Sequence, residues 1–101
     1  MKELVVLAER VAVLLKSRNE TVAVAESSAG GLITAALLAV PGASAYCLGG
    51  AVIYTLQAWD ALRDFTPELL GGFRSATEGN ALARARIIRE RFGASWGVGE
   101  T

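Results

Sequence analysis

Residues 22–31 read VAVAESSAGG, and this stretch decides the fold. Thr21 to Ala25 is a short run, apolar on both sides, of the kind a buried parallel strand shows. It breaks into an acid, Glu26, two hydroxyls, Ser27 and Ser28, and the paired glycines Gly30 and Gly31. Leu32 to Val40 then continues as a small, apolar, helix-forming segment that Pro41 and Gly42 stop. A strand feeding a polar turn that opens a helix places free backbone N–H groups at one spot. Ser27 is the first candidate nucleophile there, and the amides of Ser28 to Gly31 are candidate oxyanion donors. The structural alternative makes both serines simple helix caps.

Working outward, Lys2 to Arg18 carries Leu4, Leu7, Val11, Leu14 and Leu15 at helical spacing, which predicts an amphipathic helix lying on a core. Tyr46 to Thr55, YCLGGAVIYT, reads as a second strand, with Gly49 and Gly50 marking a bulge or a close backbone approach. A helical piece follows around Gln57 to Asp64, and Thr66 with Pro67 offers the start of another short helix through Leu70. Ser75 and Glu78 have capping-box spacing ahead of a helix running to about Phe92, with Ala81, Ala85, Ile88 and Phe92 on one face. Gly93 is its stop signal, and Ser95 to Gly99 is a third strand. Strands alternating with helices predict an α/β layered sheet. Glu100 and Thr101 close the third strand, where ligand-facing groups of such sheets gather.

Composition narrows the chemistry. The 101 residues fit one small domain, 52% hydrophobic and 20% charged, with ten basic residues balancing ten acidic ones. Zero formal net charge favours neither nucleic acid nor an anionic membrane as partner. Arg84, Arg86, Arg89 and Arg91 are expected on a solvated helix face. With one cysteine and no histidine, neither a zinc site nor a Ser/His triad can be built from this chain, and no metal is expected. Cys47 reads as a small core residue, Trp96 as core, and Trp59 as either a core aromatic or a stacking platform for a flat ligand. Charges interrupt the apolar residues near the N-terminus, and no run approaches a membrane span, so a cytoplasmic location is expected.

AESSAGGLI at 25–33, VPGASAYCLGGAVIYT at 40–55, the long basic helix and GASWGVGET at 93–101, in that order, resemble the CinA C-terminal domain family. Characterised members of that family are nicotinamide-nucleotide amidases. The likeness runs from about Leu4 to Thr101 and implies a three-layer α/β/α domain with a mainly parallel sheet. It further implies that residues 1–101 form a single partial domain equivalent to the family's N-terminal two-thirds. Through it, Ser27 falls on the family nucleophile, Tyr54 on an active-site tyrosine and Thr101 on a threonine closing the third strand.

Glu26, Ser28, Gly30, Gly31, Gly49, Gly50 and Trp59 then stand on the substrate side, with Gly30 and Gly31 as an oxyanion and phosphate cradle. The substrate implied is nicotinamide mononucleotide, deamidated without a cofactor. Two departures matter. Ser28 and Ala29 replace the family's usual Cys and Thr, and Trp59 stands where the family places a lysine base. That leaves Tyr54, Glu26 or Asp60 as proton acceptors, and opens the alternative of a non-catalytic nucleotide-binding or assembly module. A sheet cut short would leave an unpaired edge, so association with a second copy or with a missing C-terminal segment is expected.

Overall fold

In the computed structural model, which describes residues 1–62 and 70–101, a single strand organises both halves of the core. This strand, β1 (Val22–Glu26), lies between β2 (Cys47–Val52) and β3 (Trp96–Gly99), and both pairings are parallel. Side chains alternate along a strand. Val22 and Val24 therefore join one buried cluster, with Ala12, Leu15, Ala36 and Leu37, while Ala23 and Ala25 join the other, with Trp59, Ile87 and Ile88. The first cluster is covered by α1 (Lys2–Arg18) and α2 (Leu32–Leu38), the second by α4 (Glu78–Phe92) and the residues around α3 (Leu56–Ala61). The result is a three-layer α/β/α arrangement on a parallel sheet, as expected. No helix among the described residues is long and apolar enough to cross a membrane.

Small residues set the layer spacing. A Cβ on Gly97 would lie 2.1 Å from the Ala85 carbonyl oxygen, and one on Gly99 would lie 2.0 Å from that of Ala81. Only glycine lets β3 press this closely on α4, which explains why Ala81 and Ala85 recur on the helix face toward it. Gly50 does the same within the sheet, its absent Cβ standing 2.1 Å from the Val24 carbonyl oxygen. The β1/β2 register also shifts between Val22 and Ala23, leaving Leu48 unpaired beside Gly49. Both readings of the glycine pair therefore hold: one marks a bulge, the other a close approach.

Several expectations are corrected. The buried face of α1 is Ala8, Ala12 and Leu15, whereas Leu7, Val11 and Leu14 stay exposed. Small residues face the core there because α2 packs close, and the larger apolar stripe flanks β3. The cap of α4 is Thr77, whose hydroxyl accepts from the Asn80 amide at 3.2 Å, in place of Ser75. Trp96 is 49% exposed, with the Arg18 guanidinium over its ring at 5.9 Å and its indole N–H donated to Glu20. Arg84 leaves the solvated face altogether and is 2% exposed. Of the helical piece expected at Gln57 to Asp64, α3 covers Gln57 to Ala61 and Leu62 caps it; Arg63, Asp64 and the start expected at Thr66 and Pro67 lie outside the described residues. Cys47 is buried, and burial raises its thiol above the ordinary range, as for an inert core thiol.

Candidate functional site

The polar turn after β1 sits at the carboxyl end of the sheet, where strands of parallel sheets present ligand-binding loops. Two carboxylates organise it. Glu26, fully buried, accepts from the Ile33 amide at 2.9 Å, the Thr34 amide at 3.0 Å and the Thr34 hydroxyl at 2.6 Å. These are first-turn donors of α2 that have no partner inside the helix. Gly31, at φ +100°, makes the turn possible by adopting a backbone conformation that favours glycine. Glu26 is thus the cap of α2, supplied from the preceding strand.

The second carboxylate arrives from the far end of the chain. Glu100 Oε1 accepts from the Ser27 amide at 2.7 Å and the Ala29 amide at 2.9 Å, and Oε2 accepts from the Ser28 hydroxyl at 2.6 Å. Burial raises the Glu100 carboxyl, but the bonds from Ser28, Ser27 and Ala29, with the Arg84 charge behind them, outweigh it and hold the group below its usual value. The Arg84 guanidinium donates to Asn80 Oδ1 at 2.6 Å and to the Ile53 carbonyl at 3.0 Å, and lies 4.8 Å over the Trp59 ring. Burial lowers the arginine's proton affinity and the Glu100 charge partly restores it. Arginine remains protonated in any protein setting, so the interior here carries a fixed positive charge.

Ser27 is 8% exposed, and its hydroxyl has no hydrogen-bond partner among the described residues. Ser28 is exposed and committed to Glu100. The expected row of free amides from Ser28 to Gly31 is partly spent: Ala29 donates to Glu100 and Gly30 to the Ser27 carbonyl at 3.0 Å. Thr101 approaches from the β3 end, its hydroxyl accepting from the Ala76 amide at 3.2 Å. Tyr54 is 71% exposed beyond the end of β2. Gly49 and Gly50 lie inside β2, paired with Ala23 and Val24, away from the turn. Trp59 is 2% exposed, so its ring fills the core beneath Arg84 and offers no open face for stacking. The structure thus brings Glu26, Ser27, Ser28, Gly30 and Gly31 together, with Thr101 at the same end of the sheet, and leaves Gly49, Gly50 and Trp59 away from them. Glu100 and Arg84 join this turn by contacts for which the sequence offers one clue, an acid at a strand end.

A parallel α/β domain whose polar strand-to-helix turn is closed by the tail of a third strand is the class defined so far. Residues 5–101 match the profile of the CinA C-terminal domain, and the chain belongs to that family. A CinA-like protein of Acidobacterium capsulatum is 41% identical over 87 residues, covering 86% of this chain and 21% of that protein. A CinA-like protein of Synechocystis is 40% identical over 95 residues, covering 94% and 23% respectively. Among solved structures, the competence/damage inducible protein CihA from Agrobacterium tumefaciens superposes with a TM-score of 0.76 at 32% identity. That match covers 90% of this chain and 55% of the other. A CinA superfamily protein from Klebsiella pneumoniae gives 0.77 at 27% identity, covering 90% and 57%. The chain thus spans about a fifth of those curated relatives and just over half of those solved chains.

Proposed function

We propose that this chain carries the nucleophile-bearing part of an amidase-like pocket of the nicotinamide-nucleotide amidase type, with Ser27 as the attacking residue. The observation that carries the reading is the Ser27 hydroxyl itself: without a hydrogen-bond partner among the described residues, and on the turn that follows the carboxyl end of the central strand. In the reaction, Ser27 Oγ bonds to the amide carbon and the C–N bond breaks. The hydroxyl proton leaves with the nitrogen as ammonia, and water then cleaves the acyl-serine to the acid. Tyr54 and Thr101 would orient the substrate, and the turn at Gly30 and Gly31 would approach its charged groups. Trp59 supplies no proton acceptor where the family has a lysine, so turnover should be slow. Incubating the chain with nicotinamide mononucleotide and measuring ammonia tests this. Release that Ser27→Ala abolishes supports it; no release from the folded wild-type chain overturns it.

A second reading, a non-catalytic assembly module, has its own support. Among the described residues β3 is an edge strand, and beside it Val11, Leu14, Leu15, Trp96 and Val98 line an apolar groove of about 320 Å³. An unpaired edge next to apolar surface invites strand addition by a second copy. Light scattering after size exclusion is expected to give a dimer or larger species, which Val98→Lys disperses. A monodisperse monomer at tens of micromolar would end that reading.

A further inference from the structure

The central strand has two neighbours, and the two outer strands are finished differently. From Ser27 to Trp59, 33 consecutive residues, no side chain is charged, so all ten basic and all ten acidic residues lie elsewhere. That stretch holds α2 and the whole of β2, which among the described residues is an edge of the sheet. An edge strand presents unpaired backbone N–H and C=O groups, and proteins that stay monomeric blunt it with charge, proline, a bulge or a cover. β2 has neither charge nor proline, and its one bulge lies at Leu48, before the regular pairing of Gly49 to Val52. β3, at the other edge, is flanked by Arg18 and Glu20 on one side and by Arg86 and Arg89 on the other.

Beside the β2 edge runs a groove of about 270 Å³, between Thr34, Ala35 and Leu38 of α2 and Ala51 and Val52 of β2, with no charged residue in its lining among the described residues. Leu38 and Val52 in this groove, Leu48 on the strand, and Tyr54 and Leu56 just after it are 44–71% exposed. Together they keep on the order of 400 Å² of apolar side-chain surface in water. A standard interface buries about 800 Å² per partner, somewhat more than half of it apolar, so this surface suffices for a specific pair. Depletion of charge, more than bulk hydrophobicity, marks the core of such interfaces. An uncharged surface matches an uncharged partner, because an ion desolvated against it gains nothing in return. On a second copy of this chain, α1, α3 and α4 carry charged residues and β3 is flanked by them, which leaves the β2 edge as the matching surface.

We propose that β2 and α2 form a self-association face: two copies pair their β2 strands antiparallel about a two-fold axis, with the two α2 helices side by side on one face of the joined sheet. A two-fold contact between identical patches closes on itself, so association through it stops at two. This face lies on the opposite edge from the apolar groove at β3, and it rests neither on that groove nor on hydrolysis by Ser27.

The test is sedimentation equilibrium of the full chain from about 1 to about 100 μM, the range in which a modest interface of this kind dissociates. A dimer is expected, and it should persist between about 0.05 and 1 M sodium chloride, because no ion pair holds it. Val52→Lys and Leu38→Glu each put a charge into the face at a position that is half-exposed in the single chain and so tolerates the change. Each should raise the dissociation constant at least about tenfold, with the circular dichroism spectrum unaltered. Val98→Lys, on the other edge, should leave the dimer in place. A monomer across the whole range overturns the proposal, as does a dimer that salt dissociates, or one that Val98→Lys disperses while Val52→Lys and Leu38→Glu leave it intact. Should Val52→Lys fail to fold, Leu38→Glu decides by the same criterion.

Discussion

Glu26 and Glu100 satisfy the same three-part demand, two backbone amides and one hydroxyl, at opposite ends of one turn. They differ in burial and in chain distance. Glu26 is fully buried and reaches donors seven and eight residues on, whereas Glu100 is half-buried and reaches back 71 to 73 residues. A carboxylate that caps its own neighbouring helix is an element of architecture, because nothing can replace it once water is excluded. One delivered from a distant strand end is a tether that can let go.

The largest effect should come from Glu26→Ala. It leaves two amides and a hydroxyl, all partly buried, without their fully buried acceptor and is expected to cost about 2–4 kcal/mol, read from urea unfolding. A loss under about 1 kcal/mol would erase the contrast between the two carboxylates. Glu100→Ala should cost less, about 1 kcal/mol, since the Ser28 hydroxyl is exposed and the half-buried place of the carboxylate admits water; a loss equal to that of Glu26→Ala would make Glu100 architectural too.

The smallest effect concerns pH. The Glu100 carboxyl titrates below its ordinary value of 4.5 in the folded chain, so its contribution is present above that range and fades as pH falls through the lowered value. The acid limb of the stability profile should therefore be shallower in Glu100→Gln than in wild type. Superimposable limbs would remove the electrostatic part of the tether.

The frame of the molecule was legible because it rests on local pattern. The apolar run at Val22–Ala25, the break at Glu26–Gly31 and the stop at Gly93 each act through a few neighbouring residues, and strand, turn and helix end fall where they point. The errors share a cause. Arg84 sits in a row of arginines that reads as one wet face, yet the helix turns it inward onto Trp59 and the Ile53 carbonyl. Trp96 reads as core because its neighbours are apolar, but its strand is at the sheet edge, where Arg18 covers it in place of another layer. Thr77 outcompetes Ser75 as a cap through a two-residue difference in where the helix begins. Glu100 meets the turn only once the sheet order β2-β1-β3 is known, and no spacing in the sequence carries that order.

That strand order also governs how quickly the chain can reach its final shape. The central strand receives one neighbour from the middle of the polypeptide and the other from near residue 96, with the Thr21 and Ser95 pair beside it separated by 74 positions. Neither contact can form until a long loop has closed, and both ladders are parallel, so the rate-limiting barrier is expected to be largely entropic. Refolding after rapid dilution from denaturant should be slow for a polypeptide of this size.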